Sequence, residues 1–102
     1  MIKDTFVFKA VVWLYEGPAA WHFITLPKET SKEIDFYHSL SKKGWGSLPV
    51  KVSIGKTSWE TSIFPDKKLS SYILPLKSEI RKKESIRMND MVAVTITIAV
   101  NR

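Results

Sequence analysis

Residues 55–58, Gly-Lys-Thr-Ser, reproduce the end of a phosphate-binding loop, where backbone amides and a lysine hold the phosphates of a nucleotide. That chemistry needs more than the ending. The loop requires a glycine five positions before its Gly-Lys pair, and position 50 is valine. A long helix should follow, yet 58–64, SWETSIF, alternates and is rich in β-branched and aromatic residues, as a strand is. No downstream Asp stands at an apolar strand end to hold magnesium. A glycine at the first of two turn residues instead supplies the positive φ that a type II′ hairpin turn demands. Gly55-Lys56 therefore reads as a hairpin turn, not a nucleotide site.

The other polar residues assemble no reaction centre in the sequence. His22 and His38 belong to different elements and have no paired carboxylate at ligand spacing, so no metal site is read from them. Asp66 and Asp90 fall in turn sequences, where Asp bonds its own backbone. No serine stands in a Gly-x-Ser-x-Gly elbow. The absence of cysteine excludes disulfides, thiolate zinc sites, iron–sulfur clusters and a thiol nucleophile. The expectation is a protein that is not an enzyme and uses no cofactor or metal.

Cations and aromatic rings remain. Lys77 and Arg81 lie one helical turn apart and form a candidate anion site, with Lys56 or Tyr72 to close it. Lys82, Lys83 and Arg87 extend the basic run, and a solvated helix face with a Glu79–Lys83 pair would account for it as well. Of the four tryptophans, Trp13, Trp21 and Trp59 are read as core, because large rings dominate burial in a small domain. Trp45, flanked by Gly44 and Gly46, is the candidate exposed aromatic.

A formal net charge of +6 permits contact with nucleic acid or an acidic partner, and also describes an ordinary lysine-rich surface. At 102 residues the chain is expected to form one domain over 1–102, long enough to close a core without staples. No signal peptide is read at the N-terminus, and no apolar run approaches the roughly 20 residues of a membrane helix. The chain is expected to be soluble and cytoplasmic.

These residues must be positioned by strands. Residues 5–16 alternate with both faces largely apolar, which predicts a long strand covered on both sides; Gly17-Pro18 ends it. A second strand spans 20–26, up to Pro27. A helix is predicted at about 31–43, from the Thr30–Glu33 capping-box spacing, the Ile34-Tyr37-Leu40 stripe with Phe36 beside it, and a Gly44 cap after Lys42 and Lys43. Strands at 48–54 and 57–64 flank the Gly55-Lys56 turn. Pro65–Lys68 reads as a loop, 71–76 as a strand, 77–84 as a short basic helix, Met88-Asn89-Asp90 as a turn and 91–100 as a strand. Val94, Ile96 and Ile98 should share one interior with Phe8 and Val52. The order ββα-βββ-αβ predicts a mainly β protein: a small six-stranded barrel, closed or half-open, with helices at its ends.

Three stretches, WHFITLP, GWGSLPVKVSIGKTSWETSIFPDKK and SYILPLKSEIRKKESIRMNDMVAVTI, resemble the bacterial family called domain of unknown function 1905, in order and spacing from about Phe6 to Val100. The resemblance implies a six-stranded double-split barrel capped by helices, no assigned enzyme activity, and Lys77 with Arg81 as a pair. Other members can carry a bacteriocin-protection domain, which this chain, ending at Arg102, is expected to lack. Members commonly have Gly-Asp where this chain has Asn89-Asp90, and Asn also tolerates the left-handed conformation. The reading is a non-catalytic module that binds a small anionic ligand or a protein partner at one barrel mouth. The alternative is a nucleic-acid binder, by analogy with related double-split barrels, and the charge alone supports only weak contact.

Overall fold

Alternation is the rule that builds this protein. In a computed structural model, which describes residues 3–42 and 46–99, six antiparallel strands close into a barrel in the order β1-β2-β5-β4-β3-β6. The strands are β1 (Thr5–Leu14), β2 (His22–Thr25), β3 (Leu48–Ile54), β4 (Thr57–Asp66), β5 (Ser71–Leu76) and β6 (Met91–Ile98). Helix α1 (Lys28–His38), followed by one 3-10 turn (Ser39–Ser41), joins β2 to β3, and α2 (Ser78–Lys83) joins β5 to β6. Every second residue faces inward. Phe6, Phe8 and Val12 from β1 meet Val50 and Val52 from β3, Leu74 from β5, and Val94, Ile96 and Ile98 from β6 in a single buried cluster. Closure leaves no unpaired sheet edge.

The two-residue turn forms as the residue types require. Ile54 pairs with Thr57 across it, and Gly55 has φ +58°. A second reason for glycine appears only in three dimensions. A Cβ at Gly55 would collide with the carboxylate of Glu84, at the end of α2. That carboxylate accepts a hydrogen bond from Thr57 Oγ1 at 2.5 Å, so the hairpin tip is fastened to the helix. Asn89, at φ +75°, makes the left-handed turn before β6, and its N–H donates to Val12 O at 2.7 Å.

Several expectations are corrected. Strand β1 is not covered on both sides: Val7 is 71% exposed and Val11 44%, because the helix that packs on the sheet, α1, lies against β5. β1 ends at Leu14, and β2 starts at His22 because Ala20 takes φ +50°, outside the extended region. Helix α1 begins at Lys28, three residues earlier than the capping-box spacing placed it, with the extended Pro27 as N-cap and no side-chain cap. Pro27 O accepts the Ser31 N–H at 3.0 Å, and the Ser31 hydroxyl is turned to the barrel, where it accepts Tyr72 N–H at 3.1 Å. The inward face of α1 is thus Ser31, Ile34 and His38. Leu40, placed on the buried stripe by its spacing, is fully exposed because the α-helix stops at His38. β4 continues through Pro65 and Asp66, which pair with Tyr72 and Ser71, so the predicted loop starts later. The predicted Gly44 cap and Val100 fall outside the described residues; β6 ends at Ile98, with Ala99 already outside the strand.

Candidate functional site

Three strands leave an apolar outer surface where most small barrels would be polar. On β5 the outward residues are Ile73 and Pro75. Pro75 pairs with Phe23 of β2, and Ile73 with Phe64 of β4. Phe23 faces outward and is nonetheless only 7% exposed, because Trp13, Tyr15 and Trp21 close around it with ring centroids 5.1, 6.3 and 6.1 Å away. Trp13 is held by its indole N–H, which donates to Thr25 Oγ1 at 2.9 Å.

Trp21, expected in the core, is 58% exposed. It sits in the loop that Gly17-Pro18 opens, outside the interior that β2 enters only at His22. Its backbone is held by the Tyr15 N–H, which donates to Trp21 O at 2.7 Å, and beside it the His22 side chain donates from Nδ1–H to Ala20 O at 2.9 Å. Trp59 is partly buried against the core, as expected. Trp45 lies outside the described residues.

Between the 19–21 loop and the start of α2 lies a groove of about 880 Å³. Phe23, Phe64, Ile73 and Pro75 line it, Trp21 flanks it, and Lys77 and Arg81 stand at the α2 end. Arg81 is half-buried and its Nε–H donates to Leu76 O at 3.2 Å. That bond orients the guanidinium and leaves its two terminal nitrogens with no protein partner among the described residues. Lys77 likewise has no carboxylate partner among the described residues, and the nearby Glu79 pairs with Lys83 at 3.5 Å. The i, i+4 pair read from the sequence therefore forms, between two exposed side chains, and it turns the one carboxylate lining the groove toward Lys83 rather than toward the two cations.

The four residues expected around an anion do not converge. Lys77 and Arg81 share the groove, but Tyr72 and Lys56 are elsewhere. Tyr72 is five residues before Lys77 along an extended strand, about 16 Å away at the usual rise, and it points to the interior rather than the outer face. Lys56 occupies the tip of the β3–β4 hairpin. The strand direction of β5 separates Tyr72, near its start, from Lys77, which follows its end.

Tyr72 belongs instead to a second, smaller hollow of about 350 Å³ beside α1. Its hydroxyl donates to Asp35 Oδ1 at 2.6 Å, and Lys42 Nζ reaches the same oxygen at 2.9 Å and lies 5.4 Å above the Tyr72 ring. Burial, and next the Asp35 hydrogen bond, push the phenol up to about 12, against the opposing pull of Lys42. The Lys42 ammonium is held above its usual range by the Tyr72 hydroxyl and then by Asp35. A phenol so weakly acidic stays protonated near neutrality. The trio clasps α1 and the chain after it onto β5.

His38 is buried at the end of α1 and donates from Nε2 to Lys3 O at 2.7 Å; His22 is spent on Ala20. No three His, Asp or Glu side chains converge as metal ligands among the described residues. No helix among the described residues is long and apolar enough to cross a membrane.

A family model described as Domain of unknown function (DUF1905) matches residues 8–96, from the middle of β1 to the middle of β6. The chain belongs to the DUF1905 family. The matched span contains the residues of both the groove and the clasp. No curated protein matches the chain.

Proposed function

We propose that this DUF1905 domain is a non-catalytic binding module whose ligand occupies the groove between the 19–21 loop and α2. One observation carries the reading: an apolar lining of Phe23, Phe64, Ile73 and Pro75 runs up to two cations, Lys77 and Arg81, that no carboxylate among the described residues neutralises. Its volume of about 880 Å³ lies within the range of small-molecule sites, roughly 300–1,000 Å³. Apolar walls supply affinity and a few placed polar groups supply orientation. Among the described residues His22, Ser78 and Glu79 of the groove share no hydrogen bond with one another, so the reading taken is binding rather than turnover.

A neutral apolar fluorophore, N-phenyl-1-naphthylamine, tests the reading. It should bind saturably with one-to-one stoichiometry. Binding should be lost in Phe64→Glu, which charges the groove lining, and retained in Val7→Glu, which charges an exposed position of β1 outside it. Absence of saturable binding, or equal loss in both variants, would overturn the groove as a site.

A further inference from the structure

We infer that the ligand is a small aromatic monoanion of the carboxylate or sulfonate class, its acid group on Arg81 and Lys77 and its ring system against Trp21 and Phe64. This inference rests on the groove being a binding site and adds the chemical class of the occupant. Charge complementarity decides it. The Arg81 guanidinium is held in place through Nε by Leu76 O, which leaves its terminal N–H groups as a preset fork, and such forks match the two oxygens of an acid group. Lys77 adds a second cation at the same end, and Glu79, the lining carboxylate that could have cancelled it, is engaged by Lys83.

The rest of the groove rejects a highly charged ligand. Beyond the two cations its lining is chiefly rings and aliphatic side chains, and burying further charges there without partners is costly. The occupant therefore carries its charge at one end and an apolar body behind it. A flat body is favoured because Trp21 presents an exposed ring that rests against Phe23, centroids 6.1 Å apart, and Phe64 presents another in the same groove, 41% exposed. Aromatic faces gain most from stacking on other planar groups. Ala20, at φ +50°, is a non-glycine residue kept in the left-handed region next to Trp21, a conformation that persists only where surrounding bonds hold it.

The experiment compares two fluorophores with one scaffold. N-phenyl-1-naphthylamine is neutral, and 8-anilino-1-naphthalenesulfonate is the same skeleton bearing a sulfonate. The anion should bind the wild-type protein more tightly than the neutral probe. In Lys77→Glu that preference should fall by about tenfold or more, the scale of a lost charge-assisted hydrogen bond, with the neutral probe unaffected. Arg81→Gln should act in the same direction. Lys77 is exposed and lacks an ion-pair partner among the described residues, so its variant keeps the test valid should Arg81→Gln unfold. Unchanged melting temperatures exclude probe binding to a loosened barrel. Equal affinity for both probes would overturn the anion inference and leave the groove standing, whereas failure of both would remove the groove itself. Displacement of the anionic probe by naphthalene-2-carboxylate supports the inference; displacement by oligonucleotide but not by that acid would overturn it.

Discussion

Replacing Gly55 by alanine tests how the hairpin and α2 hold each other. Two costs are separable. A non-glycine residue at φ +58° is strained by about 1–2 kcal/mol relative to its ordinary conformations. The new Cβ also strikes the Glu84 carboxylate, whose Cδ lies 2.9 Å from the Cβ position. Glu84 is the end of a flexible side chain and can swing aside, but it then gives up the hydrogen bond from Thr57 Oγ1. A hydrogen bond to a charged group contributes about 1.5–3 kcal/mol when well made, and somewhat less here because Glu84 is only half-buried. The single variant should therefore lose about 2–4 kcal/mol. In a Glu84→Ala background the collision and the bond are both gone, and the same substitution should cost only about 1–2 kcal/mol. Urea unfolding followed by tryptophan fluorescence measures both arms of this cycle. Equal costs in the two backgrounds would refute the coupling, and a loss below about 0.5 kcal/mol in the single variant would refute the strain as well.

Three further outcomes are expected. Ile96→Ala, at a fully buried position of β6, should destabilise by about 2–5 kcal/mol in urea titration; a loss under about 0.5 kcal/mol would mean that Ile96 does not face the core. Tyr72 is raised in the folded protein from an ordinary 10.0 to about 12, so its contribution is complete below pH 10 and disappears as pH climbs toward 12; Tyr72→Phe should flatten this part of the stability profile, and an identical decline in both proteins would disprove the assignment. Duplex DNA should bind only weakly, at about 10⁻⁴–10⁻⁶ M, with affinity falling steeply with salt; fluorescence anisotropy at two salt concentrations checks this, and tight binding at physiological salt that vanishes in a combined Arg81→Ala and Lys82→Ala variant would make the protein a nucleic-acid binder.

Local chemistry made much of the barrel legible in one dimension. Period-two alternation marks β3 and β6 within two residues of their ends, since an inward face of Val and Ile has to be buried whatever the strand's neighbours are. Gly55 announces its turn because only a residue without a side chain adopts positive φ cheaply. Asn89 does the same before β6. The family likeness was also visible in its motifs, in order along the chain, and the match over residues 8–96 bears it out. What alternation cannot say is which apolar face meets another layer. β1 reads as apolar on two sides, yet its outer face is bare at Val7, whereas the outer face of β5, about which the sequence reading is silent, lines a groove. The difference arises from where the closed barrel places α1, α2 and the 19–21 loop. The start of α1 is missed because Thr30, read as the cap, lies inside a helix that begins at Lys28 after the extended Pro27; and that Ser31 faces the barrel shows only in its bond from Tyr72 N–H, 41 residues away. The pairing of Lys77 with Arg81 was written in their helical spacing, whereas their company was not. Tyr72 and Lys56 are removed from them by strand direction and hairpin geometry, and Trp21, Phe23 and Phe64 are brought to them by the registers of β2, β5 and β4, which exist only once the barrel has closed.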